Sequence, residues 1–331
     1  MKLFRHAKLG IYLCALLFSV AAHAQTPPPQ QIHVLTLLGR PIQFVVADKQ
    51  GFFAKYGVEV LNDNKKNSDE LRADLAAGKG DVAYLAVDNA VAMVELAHQD
   101  VVIVMGGEGS QNELIAQKDI KSVADLRGKT LIVDAPNTAY ALQMKKILAL
   151  SGLTAGKDYE IKPFGATPQR LIAMREQKDF AGSMLGPPVS LVAKKEGFVS
   201  LGSVQQLIGP YQAAGVFTQR AWAKDHHDLL VAFLSACIEA QRWLLNPSNK
   251  QQVIDLFAAQ YHLAPEIAAE DYDISITHPG GFAKDAQFDL QGFENVLKLR
   301  AEVEGQWGGH PPSPEKYYDP SYYQAALSKA K

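Results

Sequence analysis

The chain is poor in cysteine, in clusters of like charge and in long apolar runs, and each shortage removes a class of protein. Only two of its 331 residues are cysteine. Cys14 sits in the middle of the apolar run "IYLCALLF", away from its small-residue end, which is no setting for lipidation. Cleavage after Ala24 would leave Cys237 alone, so no intramolecular disulfide is expected. Cys237 falls in "LLVAFLSACIEAQRWLL", where Leu230, Phe233, Cys237, Ala240 and Leu244 recur at helical spacing; it reads as a small buried hydrophobe, with no neighbouring cation to activate a thiol. Lysine and arginine number 33 against 35 acids, with no basic block, which argues against nucleic acid or an anionic membrane as partner. No segment past the N-terminus has the roughly 20 apolar residues that a membrane-spanning helix needs.

What is present begins with a leader. Lys2, Arg5 and Lys8 precede a nearly continuous apolar stretch from Ile11 to Val20, and "AHA" at Ala22 to Ala24 supplies small residues at cleavage spacing. This is a secretory signal peptide over residues 1–24, which predicts a periplasmic protein. Its removal takes three bases and no acid, leaving 30 against 35 and a net charge near −5. The remaining 307 residues (331 less 24) exceed what one hydrophobic core usually organises, so two lobes are expected. After an extended "TPPPQQ", strand and helix alternate: "IHVLTLL" reads as a strand, and "PIQFVVADKQ" as a helix with Pro41 in its first turn and Gly51 at its end. "VVIVMGG" and "TLIVDAP" are apolar throughout, as strands of a parallel sheet covered on both faces are.

An internal echo supports two lobes. "DLAAGKGDVAYLAVDNAVAMVE" and "AMREQKDFAGSMLGPPVSLVAKKE" share a layout of helix end, turn, short strand, break and departing helix, although Gln177 and Phe180 stand where Gly78 and Asp81 do. Taken in order, "GRPIQFVVADKQGFFAKYGVEV", "LAAGKGDVAY", "SVADLRGKTLIVDAPNTAYALQMKKILALSGL", "GPPVSLVAKKEGFVSL" and "YYDPSYYQAAL" resemble the solute-binding proteins of ABC importers, in the sulfonate, nitrate, taurine and thiamine-pyrimidine group. The resemblance runs over essentially all of the chain after the leader. It implies a type II periplasmic-binding-protein fold: two α/β lobes, each a mostly parallel sheet flanked by helices, joined by two hinge crossings with the ligand clamped between. The first lobe would hold residues 25–118 and 214–331, the second 119–213. The crossings are placed in "ELIAQKDIKSVADLRGK" and "GPYQAAGVFTQRAW", and the C-terminal tail is expected to pack on the first lobe. The implied function is capture of a small organic solute by a monomer and its delivery to the permease subunits of an ABC importer, without catalysis, cofactor or metal.

Ligands of open α/β sheets sit beyond the carboxyl ends of the strands, where helix N-termini offer free N–H groups. "LLGRPIQ" forms such an end: Gly39 allows close backbone approach, Pro41 starts the helix without wasting a donor, and Arg40 is suited to a bidentate grip on a carboxylate or sulfonate. The second lobe offers "LIVDAPNTAYALQMKKIL", with Asn137 or Thr138 as helix cap and candidate contact, and Ala141, Met144, Ile147 and Leu148 as its buried stripe. Tyr140 and Phe164 are candidate flat walls. Three further loops add Asp88 with Asn89, then Gly107 and Glu108 with Ser110, then Gly186 and Pro187. Asp88 and Glu108 sharpen the question of ligand charge. Carboxylates lining the cleft would favour an amine or an N–H-bearing heterocycle over a bare oxyanion, since a buried carboxylate beside an anion costs several kcal/mol. Equally, Asp88 can be a helix cap and Glu108 a solvated loop acid.

Enzyme motifs are missing. In "RGKT" Val123 occupies the place of the first P-loop glycine and a strand follows, "GGEGSQ" lacks the third glycine of a dinucleotide fingerprint, and no serine lies in a nucleophile elbow. His226 and His227 in "KDHHDLL" point about 100° apart on a helix, an arrangement unsuited to one metal ion, and Asp225 is expected to cap that helix. Two alternatives share the same cleft: a ligand-occupancy partner of a membrane sensor, and an enzyme like the eukaryotic pyrimidine synthases, whose cysteine cluster this chain lacks.

Overall fold

The computed structural model describes residues 28–37 and 39–331; the expected signal peptide, with Cys14 and the cleavage point after Ala24, lies outside the described residues. Ten strands make two five-stranded sheets. In chain order they are β1 (Gln30–Thr36), β2 (Val58–Asn64), β3 (Val82–Ala86), β4 (Val101–Met105), β5 (Glu113–Ala116), β6 (Thr130–Val133), β7 (Glu160–Pro163), β8 (Phe180–Leu185), β9 (Val199–Ser203) and β10 (Ala214–Gln219). The first sheet has the order β2-β1-β3-β10-β4 and the second β7-β6-β8-β5-β9. Parallel pairings set the frame, with Val34 of β1 opposite Val82 of β3 and Leu131 of β6 opposite Gly182 of β8. One reversed strand enters each sheet beside its middle strand, β10 against β3 and β5 against β8. All five residues of β4 are buried, as are Leu131, Ile132 and Val133 of β6, because helices cover both sheet faces. Among the described residues no helix is long and apolar enough to cross a membrane.

The sequence echo is a structural one. Helix Ser68–Ala76, β3 and helix Asp88–Ala97 correspond to helix Thr167–Glu176, β8 and helix Val189–Lys195, and β3 and β8 are the middle strands of their sheets. The first crossing comes earlier than the boundary expected at residue 118. β5 pairs with β8 and β9 of the second sheet, so the chain changes lobe within Gly106–Asn112. That run's glycines suit an exposed link less than a crowded one: a Cβ on Gly106 would meet the Gln287 backbone at 2.3 Å.

The core of the first lobe centres on the long helix His227–Leu245. Its Phe233 packs on Phe44 and Phe53 with ring centroids 5.6 and 5.9 Å away, and Phe44 meets Tyr84 at 5.5 Å. Cys237 is buried in this cluster, where burial pushes its thiol up, in keeping with the hydrophobic role expected of it. The last helix, Pro320–Lys329, is started by Asp319, which accepts the Ser321 amide at 2.9 Å, and packs on the same long helix through buried Tyr322 and Tyr323.

The preceding helix, Leu290–Glu304, behaves differently from a tail confined to the first lobe. It lies along helix Ala139–Leu150 of the second lobe, with Lys145 Nζ 2.5 Å from Glu304 Oε1 and Lys146 paired with Glu302. A second apolar cluster therefore runs from Leu35 and Leu71 of the first lobe through Val296 and Leu297 to Leu131, Leu142 and Met144 of the second. At its centre Arg300, wholly buried, donates through Nη2 to the Asp88 carbonyl (3.0 Å), Asp88 Oδ2 (3.1 Å) and the Asn137 carbonyl (2.8 Å). One guanidinium thus ties the helix beginning at Asp88 to the loop before helix Ala139–Leu150.

Removing one partner of a buried ion pair strands the other charge in an apolar interior. Arg300→Ala is expected to lower unfolding free energy by about 3–5 kcal/mol, read from the urea midpoint. A loss below about 1 kcal/mol would show that the lobes do not depend on this tie.

Candidate ligand-binding cleft

A cavity of about 200 Å³ lies between the two sheets, and its wall is drawn from both. Thr36 ends β1 and Leu37 follows it, Leu85 and Ala86 end β3, Glu108–Asn112 follow β4, and Gly186 and Pro187 follow β8. These are the carboxyl ends of the parallel strands, the position the α/β topology favours for a ligand. The floor is the pair of crossing segments. They are stitched by a bridge between Gly109 and Gln212 and by Gln212 itself, whose Nε2 donates to the carbonyls of Glu108 (3.2 Å) and Ala214 (2.8 Å). Tyr261, Ser275 and Gly280–Phe282, from the C-terminal part of the chain, close one side.

Two helices point their N-termini at this space. Pro41, Ile42 and Gln43 begin helix Ile42–Lys49, whose first intrahelical bonds are made by Phe44 and Val45 onto the Pro41 carbonyl; Ala139 and Tyr140 begin helix Ala139–Leu150. The first-turn amides of Ile42 and Gln43 therefore have no carbonyl within their own helix to bond.

Of the residues singled out in the sequence, Gly39, Glu108, Tyr140, Gly186 and Pro187 line the cavity, and Ser110 joins them. Gly39 adopts φ +79°, which an L side chain resists, but its amide is already given to Asn64 Oδ1 at 2.7 Å. The other expected contacts lie elsewhere, each for a physical reason. Arg40 is turned to the surface: its Nε and Nη2 both lie 2.7 Å from Asp48 Oδ2, a pair eight residues along the same helix-start segment. Asp88 is fully buried under Arg300 and neither faces the cavity nor caps its helix. Asn137 sits in a left-handed conformation (φ +61°) that presents its carbonyl to Arg300. Thr138 caps its helix through the Ala141 amide and donates to Asp134 Oδ1 at 2.7 Å, so its hydroxyl is committed. Gly107 is packed against Tyr84, whose Oη would stand 2.7 Å from an added Cβ. Phe164 is 41% exposed and rests edge-on against Phe180 outside the cavity. His226 and His227 also lie away from it, and no side chain of Asp225 caps the helix that follows.

Several lining residues carried no sequence signal. Gln43 and Tyr84 are buried in the wall, and Gln43 Nε2 and Tyr84 Oη have no hydrogen-bond partner among the described residues. Asn112 donates to Gln143 Oε1 at 2.8 Å, which fixes the crossing against the second lobe. Tyr261 and Ser275 arrive from helical segments more than 150 residues along the chain from Glu108. Behind Ser275 stands buried Asp271, which accepts its hydroxyl at 3.0 Å.

The electrostatics are dominated by acids. Burial, with the nearby charge of Asp271, pushes Glu108 from 4.5 up to about 7. Burial likewise pushes Asp271 from 3.8 to about 7, with the Ser275 hydroxyl pulling slightly the other way. Tyr84, Tyr140 and Tyr261 also face Glu108, and burial raises all three phenols. Among the described residues no lysine, arginine or histidine lines this cavity. The two kinds of signal can be ranked by size once Glu108 is ionised, above about pH 7: a helix N-terminus favours a nearby anion by about 0.3–1 kcal/mol, whereas an anion beside a desolvated carboxylate loses several kcal/mol. The ionised acid then outweighs the helix ends.

The NMT1-like family profile matches residues 26–258. The nitrate/nitrite binding protein NrtA of Nostoc sp. (strain PCC 7120) is 24% identical over 251 residues, 69% of this chain and 56% of that protein, so the chain spans about half the length of the curated relative it matches. Among solved structures, the periplasmic nitrate-binding protein NrtA from Synechocystis PCC 6803 superposes with a TM-score of 0.74 at 16% identity, covering 92% of this chain and 89% of that one. The alkanesulfonate-binding protein SsuA from Xanthomonas axonopodis pv. citri, bound to MOPS, gives 0.68 at 14% identity over 87% and 96%. Likeness at such identities is likeness of fold, and the fold is the two-lobed one of periplasmic binding proteins.

Glu108 and Asp271 keep a proton in the folded protein at pH values where the unfolded chain has lost it. Their contribution to stability is therefore complete near pH 4 and is lost as pH rises to about 7, by on the order of 3 kcal/mol for each group. Glu108→Gln is expected to raise the melting temperature at pH 8, to change it little at pH 4, and to flatten the profile between. A profile identical to that of the unsubstituted protein would place Glu108 in solvent. Arg40→Ala, which breaks a partly exposed pair with Asp48 and a long hydrogen bond from Nη1 to the Val60 carbonyl (3.3 Å), is expected to cost about 1 kcal/mol of stability and to leave ligand affinity unchanged by titration calorimetry.

Proposed function

The chain belongs to the NMT1-like family, and from that premise and the cleft we propose that it is the extracytoplasmic solute-binding component of an ABC importer. The observation that carries this reading is a cavity whose wall is shared between two lobes. A solute that touches both lobes binds the closed arrangement better than an open one, and that difference in affinity drives closure. The closed form is then the species that docks on the membrane permease. The printed names of the relatives, nitrate/nitrite binding and alkanesulfonate-binding, are in line with transport of small solutes. Gly39, Glu108, Tyr140, Gly186 and Pro187 are the ligand contacts in this proposal, joined by Gln43, Tyr84, Ser110 and Tyr261.

Binding without chemistry suits the groups present. The sole cysteine of the described residues, Cys237, is buried in the first-lobe core with its thiol pushed up, so it is no nucleophile.

The reading is tested by a thermal-shift screen of the purified protein against nitrate, sulfonates, carboxylates, amines, pyrimidines and small aromatics, with native mass spectrometry of protein taken from its own cells. A ligand at 100 times its Kd stabilises the folded state by about 2.7 kcal/mol, and one class is expected to do so. A protein that responds to no class and carries no small molecule would sink the proposal.

A further inference from the structure

Beyond the inner cavity lies a second, larger space of about 380 Å³, and Tyr140, Gly186, Pro187 and Tyr261 belong to the walls of both. The two are consecutive chambers of one cleft. Their linings differ in kind. The inner one has the Glu108 carboxylate, the unpartnered Tyr84 Oη and Gln43 Nε2, and the hydroxyl of Ser110. The outer one is walled mainly by Pro168, Leu171, Ile172, Val189, Val192 and Leu263, with Thr167, Gln260 and His262 as polar groups on the same wall. Ile172 is 46% exposed there, a large apolar side chain left facing the chamber. Arg175, at the rim, is already held by Glu196 at 2.8 and 2.5 Å, so it does not offer a free charge.

Resting on the solute-binding reading above, we propose that the ligand is an amphiphilic organic amine, its protonated nitrogen on Glu108 in the inner chamber and its apolar tail in the outer one. The charged and titratable groups that face Glu108 are Asp271, Tyr84, Tyr140 and Tyr261, none of them a base. The acidic pair consequently lacks a counter-charge, and an ammonium group supplies one while donating to Glu108 and to Tyr84 Oη. The amides of Ile42 and Gln43 remain available to an acceptor atom on the same head. Two cavities joined by shared aromatic walls set the length of the molecule, since a head-only ligand would leave the outer apolar surface wet. An oxyanion head, the ligand class named for the nitrate- and alkanesulfonate-binding neighbours, meets the opposite charge pattern here.

The test is titration calorimetry of the purified protein at pH 8 with butylamine, hexylamine and octylamine, against butane-, hexane- and octanesulfonate. Amines are expected to bind, with Kd falling about fourfold per added methylene until the outer chamber is full. Glu108→Gln should weaken the amines by more than tenfold without weakening the sulfonates, and Ile172→Ser should flatten the chain-length gain. Because Glu108 must be ionised to pair, amine affinity should also fall as pH is lowered through about 7. Sulfonates binding in preference to amines would overturn this inference and leave the solute-binding reading intact. So would amine affinity indifferent to Glu108→Gln. If neither series binds, the inference fails, and the broader screen with native mass spectrometry decides the solute-binding reading on its own.

Discussion

The buried guanidinium of Arg300 is the contact on which the two-lobed arrangement turns. It reaches Asp88 at the start of a first-lobe helix and the Asn137 carbonyl at the start of a second-lobe one, from a helix that belongs to neither sheet. Such a pair is a poor source of net stability, because desolvating two charges consumes most of their attraction. What it supplies is geometry. Burial alone would push Asp88 further up than about 6, and Arg300 holds it there. A second buried link, Ser68 Oγ to Asp134 Oδ2 at 2.7 Å, joins the lobes nearby, so polar ties and a shared apolar cluster hold one side of the junction together. The cavity opens on the other side, bounded by the crossings.

That placement explains the character of the cleft. Its floor is made of backbone that has left one sheet and not yet entered the other, and Gln212 and Gln241 satisfy its carbonyls. With the backbone groups so committed, the side chains that rise from the floor decide chemistry. Glu108 is foremost among them. It follows a fully buried strand, lies beside Asp271, and among the described residues no base lines the cavity with it. The helix N-termini of Ile42–Lys49 and Ala139–Leu150 give the cleft a weak preference for acceptor atoms, and the acid pair, once ionised above about pH 7, imposes the stronger, opposite one. The fold is shared with proteins named for oxyanions, and a fold carries no ligand specificity by itself.

Much of the architecture was legible in the sequence because it rests on local rules. Apolar runs with the composition of β4 and β6 have few options other than a covered parallel sheet, and proline and glycine punctuate the helices at Pro41 and Gly51 as backbone sterics require. The repeated helix–strand–helix unit emerged for the same reason. The crossing point did not, because "ELIA" looks alike in either lobe, and only pairing with Ser183 and Ser200 assigns it to the second. Arg40 and Asp88 were plausible contacts by position, yet each found a partner inside the protein: Asp48 eight residues away, and Arg300 over 200 residues on. A sequence displays charges and hides their partners.

The sequence by itself determined the class of fold, its doubling, the inert cysteine and the strand ends where a ligand would sit, since hydrophobic period, chain length and turn chemistry act within a few residues. Tertiary structure alone decided which side chains face that place. Tyr261 and Ser275 reach the cleft from helical segments far along the chain, Asp271 stands behind Ser275, and desolvation together with the charge of Asp271 is what raises the loop acid Glu108 to about 7. Desolvation and Coulomb interaction depend on distance in space, and no local pattern of residues encodes it.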